Sequence, residues 1–245
     1  FRRVLFRSRT RTELLADEIA QKIRQKIQKQ EYAQGERLTV RWLCEEFGAS
    51  ETPVKQALNQ LVSTGLVVSI PKCGMRVRTF TFQDMKNNWE ARLMIEQFCA
   101  AAAVDTVRRD EQFISNVRKL LQVTNEAYEK CIQDYTKENF SHLSEYDRQL
   151  HMEIIKCCQN DQIVNMYESL NVYAGMFTGF TRHNKETLRG VQREHTNIVN
   201  QLELCDTEGL KKALEQHVYS TIQIYRQAEN EQRSEERRVG KECRS

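Results

Sequence analysis

Residues 47–58, Phe47-Gly48-Ala49-Ser50-Glu51-Thr52-Pro53-Val54-Lys55-Gln56-Ala57-Leu58, decide how the first part of this chain folds. Gly48 suits the end of one helix, because a helix C-terminus often needs a left-handed residue. Ser50 suits the N-cap of the next. Pro53 is tolerated in a first turn, where its missing N–H would have no helical partner anyway. Two helices are therefore expected on either side of Ala49-Ser50. Upstream, Thr39–Phe47 reads as a short helix with Val40, Leu43 and Phe47 inward, and Gly35 ends the connection before it. Earlier still, Leu15, Ile19, Ile23 and Ile27 recur every four residues in Thr12–Gln30, which predicts an amphipathic helix. Downstream, the helix from Glu51 runs to about Thr64, with Ala57, Leu58 and Leu61 inward and Gly65 closing it.

The period then changes. Leu66-Val67-Val68-Ser69-Ile70 is rich in β-branched residues, Pro71-Lys72-Cys73-Gly74 reads as a turn, and Met75–Thr79 reads as the returning strand. This hairpin is the only convincing β signal in the sequence. Three helices and a hairpin describe a winged helix-turn-helix. In that arrangement the third helix fits the major groove and the hairpin reaches the backbone or the adjacent minor groove. The same pattern also builds small helical interaction domains. From Gln83 onward there is neither proline nor strand pattern. Helices are expected over about Gln83–Arg108, Glu111–Gln133, Thr136–Cys158, Asp161–Gly179, Lys185–Leu204 and Thr207–Glu229, with the domain boundary near Phe80–Gln83. The fold class is thus mainly α: a winged domain over 9–80 followed by an all-α bundle over 81–232.

The two ends are read apart from the fold. Residues 1–8 end in Leu-Phe-Arg-Ser, which CTCTTCCGATCT encodes. Its reverse complement, AGATCGGAAGAG, encodes Arg-Ser-Glu-Glu, the start of residues 233–245. Both segments read as translated sequencing adapters and are set aside as tails. The chain carries a net charge of +3. Three Arg in the first tail, and four Arg, one Lys and three Glu in the second, contribute +5, so residues 9–232 stand at −2. Overall charge therefore gives no argument for nucleic acid, which must rest on local pattern. No apolar run approaches the roughly 20 residues of a membrane span, and no secretory signal is visible. Seven Cys outside the tails are scattered without a C-x-x-C pair, which fits a reduced cytoplasm and cysteines serving as small core residues.

In its first 80 residues the chain resembles the GntR family of transcription regulators. Members show a pattern close to G-x-x-L-x-E-x-x-LA-x-x-x-GVSR-x-PVREAL-x-x-L-x-x-x-GLV, then a wing with G-x-x-V. Here it reads Gly35-Glu36-Arg37-Leu38, Leu43-Cys44, Phe47-Gly48-Ala49-Ser50, Thr52-Pro53-Val54-Lys55-Gln56-Ala57-Leu58, Leu61, Gly65-Leu66-Val67 and Gly74-Met75-Arg76-Val77. The resemblance implies DNA contact by Arg41, Thr52, Lys55 and Gln56, and by Lys72 and Arg76 on the wing. Two departures matter. Glu51 stands where the family has Arg, and Lys55-Gln56 replaces Arg-Glu. Glu51 repels phosphate unless it accepts from a cytosine amine, and Lys55 keeps charge but loses the bidentate fork.

Asp147 and His151 lie four residues apart and so share one helix face. With His195 and His217 from later helices they suit a first-row divalent metal, although D-x-x-x-H is common by chance. The second domain resembles the sensor of the family's FadR-like branch, the FCD type. Its D-x-x-[FL]-H-x-x-[IL], E-H-x-x-[IL] and later His read here as Asp147-Arg148-Gln149-Leu150-His151-Met152-Glu153-Ile154, Glu194-His195-Thr196-Asn197-Ile198 and His217, with Asn160 fitting the Asn that follows the first motif. The resemblance implies metal ligands Asp147, His151, His195 and His217. Zinc is the default, with nickel and manganese open. Trp89-Glu90-Ala91-Arg92-Leu93-Met94-Ile95-Glu96 resembles E-x-R-x-x-[IL]-E, in which the Arg faces the cavity and holds an effector carboxylate. An i, i+4 ion pair of Arg92 with Glu96 is the equal alternative. His142 and His183 match nothing and are expected at the surface.

These readings together imply a cytoplasmic homodimeric repressor that binds an inverted-repeat operator. A small carboxylic acid would shift the angle between its domains through Phe80–Gln83. Two other classes stay open. One is a regulator whose metal is purely structural. The other is a metal-dependent hydrolase, against which stands the absence of H-E-x-x-H and G-x-S-x-G.

Overall fold

The computed structural model describes residues 10–28, 31–177 and 184–242. The expected tail at 1–8, the last residues of the tail at 233–245, and His183 lie outside them. The chain divides into two units, one ending at Phe80 and the other beginning at Thr81.

In the first unit, α1 (Arg11–Gln28) packs on α3 (Glu51–Ser63), with α2 (Val40–Phe47) beside α3. Ala16, Ile19, Ala20, Ile23 and Ile27 of α1 are buried, whereas Leu15 is 38% exposed. A four-residue repeat drifts around a helix of 3.6 residues per turn, so Leu15 leaves the face that Ile19 to Ile27 hold. In α2 only Leu43 is fully buried, while Val40 and Phe47 are half-buried. Thr39 caps α2 by accepting from the backbone N–H of Trp42, and Gly48 ends it at φ +59. Ser50 holds the extended N-cap backbone of α3 but makes no side-chain cap bond. Val54, Ala57, Leu58 and Leu61 have no exposed surface. Each such Val or Leu side chain contributes about 1.5–3 kcal/mol to the core, and Ala57 less.

The hairpin consists of β2 (Val67–Ile70) and β3 (Gly74–Val77), in antiparallel register from Val67 opposite Val77 to Ile70 opposite Gly74. A third strand, β1 (Arg37–Leu38), pairs with the other edge of β3 and gives the order β1-β3-β2. The sequence reading did not contain β1, because two residues are too few to show a period of two.

The second unit is helical among its described residues: α4 (Phe82–Arg109), α5 (Glu111–Gln133), α6 (Lys137–Lys156), α7 (Asp161–Phe177), α8 (Lys185–Glu203) and α9 (Thr207–Glu242). The helix α4 starts with a reciprocal cap, Thr81 accepting from the N–H of Asp84 while Asp84 accepts from the N–H of Thr81. Phe82 and Gln83 are thus helical, and the connection is shorter than Phe80–Gln83. The final helix passes the expected stop at Glu229, through a run of Glu, Gln, Arg and Lys that favours helix. Packed against α9, α7 and α6, α4 is buried on most sides, which is why its apolar periodicity is weak. Of the described cysteines, Cys99 and Cys131 are core residues, Cys73 is exposed, and Cys44, Cys157, Cys158 and Cys205 are half-buried. No helix among the described residues is long and apolar enough to cross a membrane.

Candidate metal centre and DNA-reading face

In the second unit, α6 presents Asp147 and His151, α8 presents His195, and α9 presents His217. Their ligand atoms all lie within 4.8 Å of one another. The three His side chains are buried, and Asp147 is one-quarter exposed. Nε2 of His195 lies 2.9 Å from Oδ1 of Asp147 and 3.1 Å from Nε2 of His151. Two of the outward nitrogens have hydrogen-bond partners of their own. Nδ1 of His195 is 3.1 Å from the Tyr128 hydroxyl of α5, and Nδ1 of His217 is 3.0 Å from Oε2 of Glu194. Nδ1 of His151 lies 3.3 Å from Oε1 of Glu96 on α4. Partners on Nδ1 fix the ring and leave Nε2 as the inward lone pair.

Electrostatics agree with this polarity. Burial pushes Asp147 up, yet the surrounding imidazoles, His195 foremost, hold it well below the usual carboxylate range. Burial lowers His195 to about 4 against the opposing pull of Asp147, so its ring is neutral near pH 7. Neutral imidazoles and an ionised carboxylate are the forms that bind metal. Two facing Nε2 atoms at 3.1 Å also need a proton or a cation between them. The donor set, its protonation and its supports all fit a first-row divalent cation.

Beside this cluster, Arg92 is 2% exposed and Glu96 is fully buried. Nη2 of Arg92 lies 3.3 Å from Oε1 of Glu96 and donates to the Tyr167 hydroxyl at 2.8 Å. Tyr167 in turn donates to Glu96 through a very short hydrogen bond. The i, i+4 pair is therefore present. The guanidinium also lies over the Trp89 ring, 4.3 Å from its centre, and Trp89 meets His217 edge-on. Burial would raise Glu96, but His151, Arg92 and Tyr167 together bring it down to about 2. Around this group five buried atoms have no hydrogen-bond partner: Asn88 Oδ1, Trp89 Nε1, Arg92 Nε, Glu96 Oε2 and His151 Nδ1. Such orphans ask for a ligand or water. Asn160 stands elsewhere, its side chain accepting from the N–H groups of Gln162 and Ile163 at the start of α7. His142 is exposed. Tyr128 and Tyr167 were missed by sequence reasoning, because a Tyr on another helix carries no spacing signal. Glu194 was legible only as the neighbour of His195.

In the first unit, Thr52, Lys55 and Gln56 are exposed on the face of α3 opposite its buried residues. Lys55 is held 2.6 Å from Glu51 one turn earlier, and Arg41 lies 3.2 Å from Glu45. Lys72 is exposed at the wing tip with φ 63, a left-handed backbone that a non-glycine residue seldom adopts. Arg76 is half-buried and donates to the carbonyl of Gly35 at 2.9 Å, bracing β3 against the loop before β1.

Two family models match the chain. One is described as "Bacterial regulatory proteins, gntR family" and covers residues 15–77; the other, the FCD domain, covers residues 88–220. Similar proteins include an HTH-type transcriptional regulator, YdhC, of Bacillus subtilis. It is 25% identical over 187 residues, 75% of this chain and 77% of that protein. The HTH-type transcriptional repressor GlaR of Escherichia coli is 22% identical over 197 residues, 79% of this chain and 87% of its own length. Among solved structures, E. coli McbR/YncC shares the fold at a TM-score of 0.71 and 22% identity, covering 87% of this chain and 98% of its own.

Proposed function

The chain belongs to the GntR family of bacterial regulatory proteins and carries an FCD domain, and from that premise we propose that it is a homodimeric, cytoplasmic repressor of an inverted-repeat operator, released or retained by a small carboxylic acid bound beside a divalent metal. It is a DNA-binding transcription regulator by family. The observation that carries the sensing reading is the convergence of three imidazoles and one carboxylate, with two of the imidazoles, His195 and His217, backed on the outer nitrogen. Asp147, His151, His195 and His217 would hold the metal, with zinc as the default, and it would supply a Lewis-acidic point for a ligand oxygen. Trp89 and Arg92 offer unpartnered N–H groups to the same ligand, and Asn88 and Glu96 offer unpartnered oxygens. The DNA contacts proposed are Arg41, Thr52, Lys55, Gln56, Lys72 and Arg76. The helix that carries Arg92 begins two residues after Phe80, so strain in α4 has a direct covalent route to the winged unit.

One observation favours a second reading. The charge of Arg92 is already matched by Glu96 and Tyr167 inside the core, as in a site whose metal serves only the fold. A melting-temperature screen separates the two. Metal-loaded and chelated protein would be run against sugar acids, dicarboxylates, hydroxy acids and fatty acids, since a ligand bound only by the native state raises the midpoint. A rise that requires metal supports sensing. Chelation that lowers the midpoint, with every acid silent, supports a structural metal.

A further inference from the structure

Glu96 faces three claimants. Its Oε1 is 3.3 Å from the Arg92 guanidinium, takes the Tyr167 hydroxyl proton in a very short bond, and lies 3.3 Å from Nδ1 of His151. It has no exposed surface, so water cannot share the load. The other two imidazoles have settled partners in Tyr128 and Glu194. His151 differs: its Nδ1 makes no hydrogen bond despite the nearby carboxylate, and Glu96 Oε2 makes none either. A histidine that gives Nε2 to a cation keeps its proton on Nδ1 and needs an acceptor there. The acceptor within reach is the carboxylate whose Oε1 Arg92 and Tyr167 now occupy.

We propose that Glu96 couples the two ends of the site: whatever draws Arg92 away hands the carboxylate to His151 and tightens the metal. By linkage, a bound metal loosens Arg92 for an anionic ligand by the same factor. Glu96 is in this account a positioning residue that acts through His151, and the account rests on the metal reading proposed above. It differs from simple charge repulsion between Arg92 and a cation, which would not pass through Glu96.

The test is a double-mutant cycle on the full chain, with the zinc dissociation constant read by competition against a chromophoric chelator at pH 8. Glu96→Gln is expected to weaken zinc roughly 10- to 100-fold, the usual cost of losing a carboxylate behind a ligating histidine. Arg92→Gln is expected to tighten zinc on the order of five- to tenfold. In the Glu96→Gln background Arg92→Gln should change nothing. An equal tightening in both backgrounds would mean through-space repulsion and overturn the proposal, as would unchanged affinity in Glu96→Gln. Should Arg92→Gln fail to fold, Tyr167→Phe removes only the hydroxyl that competes for Oε1. It should tighten zinc in the same direction, and no change or a weakening would overturn the proposal. A wild-type chain that takes up no zinc sinks the metal reading itself, and this coupling with it. Zinc bound by wild type with a flat cycle sinks the coupling alone.

Discussion

Glu51 stands at the first position of α3, the helix proposed to face DNA, and holds Lys55 at 2.6 Å, while Glu45 holds Arg41 in the same way. Both pairs are exposed, where a salt bridge contributes little to stability. Their consequence lies in binding: each acid offers its cation an alternative to a phosphate. Glu51→Gln should therefore free Lys55 and strengthen binding to random-sequence duplex several-fold at low salt. The slope of log affinity against log salt should steepen by about 0.9, the release of roughly one counterion. Fluorescence anisotropy at several salt concentrations measures both. An unchanged slope would show that Lys55 touches no phosphate. Single residues were unevenly legible. The four candidate metal ligands stood out through the family motifs they match, since the one-turn spacing of Asp147 and His151 alone is common by chance. Their supports did not. Tyr128 and Tyr167 lie 67 and 75 residues from the side chains they serve. Sequence spacing says nothing across such a distance until the helices are packed.

Elements carry their own signals, and the caps show how far those can be trusted. Thr81 and Ser50 look alike as sequence, each a hydroxyl residue before a helix. Only Thr81 makes the cap, because Asp84 three residues on completes the reciprocal pair. At the matching place after Ser50 stands Pro53, which has no N–H to donate. Thr81→Ala should thus cost about 1 kcal/mol and lower the melting temperature a few degrees. Ser50→Ala should leave it unchanged within error. Equal losses in the two variants would contradict the assignment. A second prediction concerns the tie between α1 and α2. Glu46 accepts from the Tyr32 hydroxyl at 2.6 Å and pairs with Lys26 at 2.9 Å. Burial pushes its carboxyl up, but these two partners outweigh burial and leave it below its ordinary 4.5. A carboxyl depressed in the folded state stabilises above its unfolded pKa and loses that contribution as pH falls through the folded value. The winged unit should therefore begin to lose stability as pH drops below about 4.5, and Glu46→Gln should flatten that loss. Circular dichroism melts from pH 6 to pH 3 would show it. The hairpin of this unit was legible from its β-branched run and Pro-Lys-Cys-Gly turn. The strand β1 was not, since its two residues form a strand only because β3 offers an edge.

At the scale of the whole chain, charge argues against its own sum. The +3 of the full sequence comes from the two ends, and residues 9–232 carry −2. An acidic body can still bind DNA if its cations are concentrated where the duplex lies, and the proposed contacts Arg41, Lys55 and Lys72 all belong to one small unit. Specific and non-specific binding must then respond differently to the ends. If α3 makes the base contacts proposed, these do not depend on residues 1–8 or 233–245, whereas attraction to random duplex counts every charge nearby. Removing both segments takes away +5 per chain. The trimmed chain should lose affinity for random-sequence DNA, with a shallower salt dependence, and keep its affinity for an operator once salt is high enough to screen distant charges, at a Debye length of about 8 Å. The ratio of the two affinities, the quantity that matters for regulation, should rise on trimming. Side-by-side anisotropy titrations of the full and trimmed chains decide it. If both affinities fell together, the ends would belong to the DNA-reading surface, and the charge of this regulator would have to be counted over its whole length.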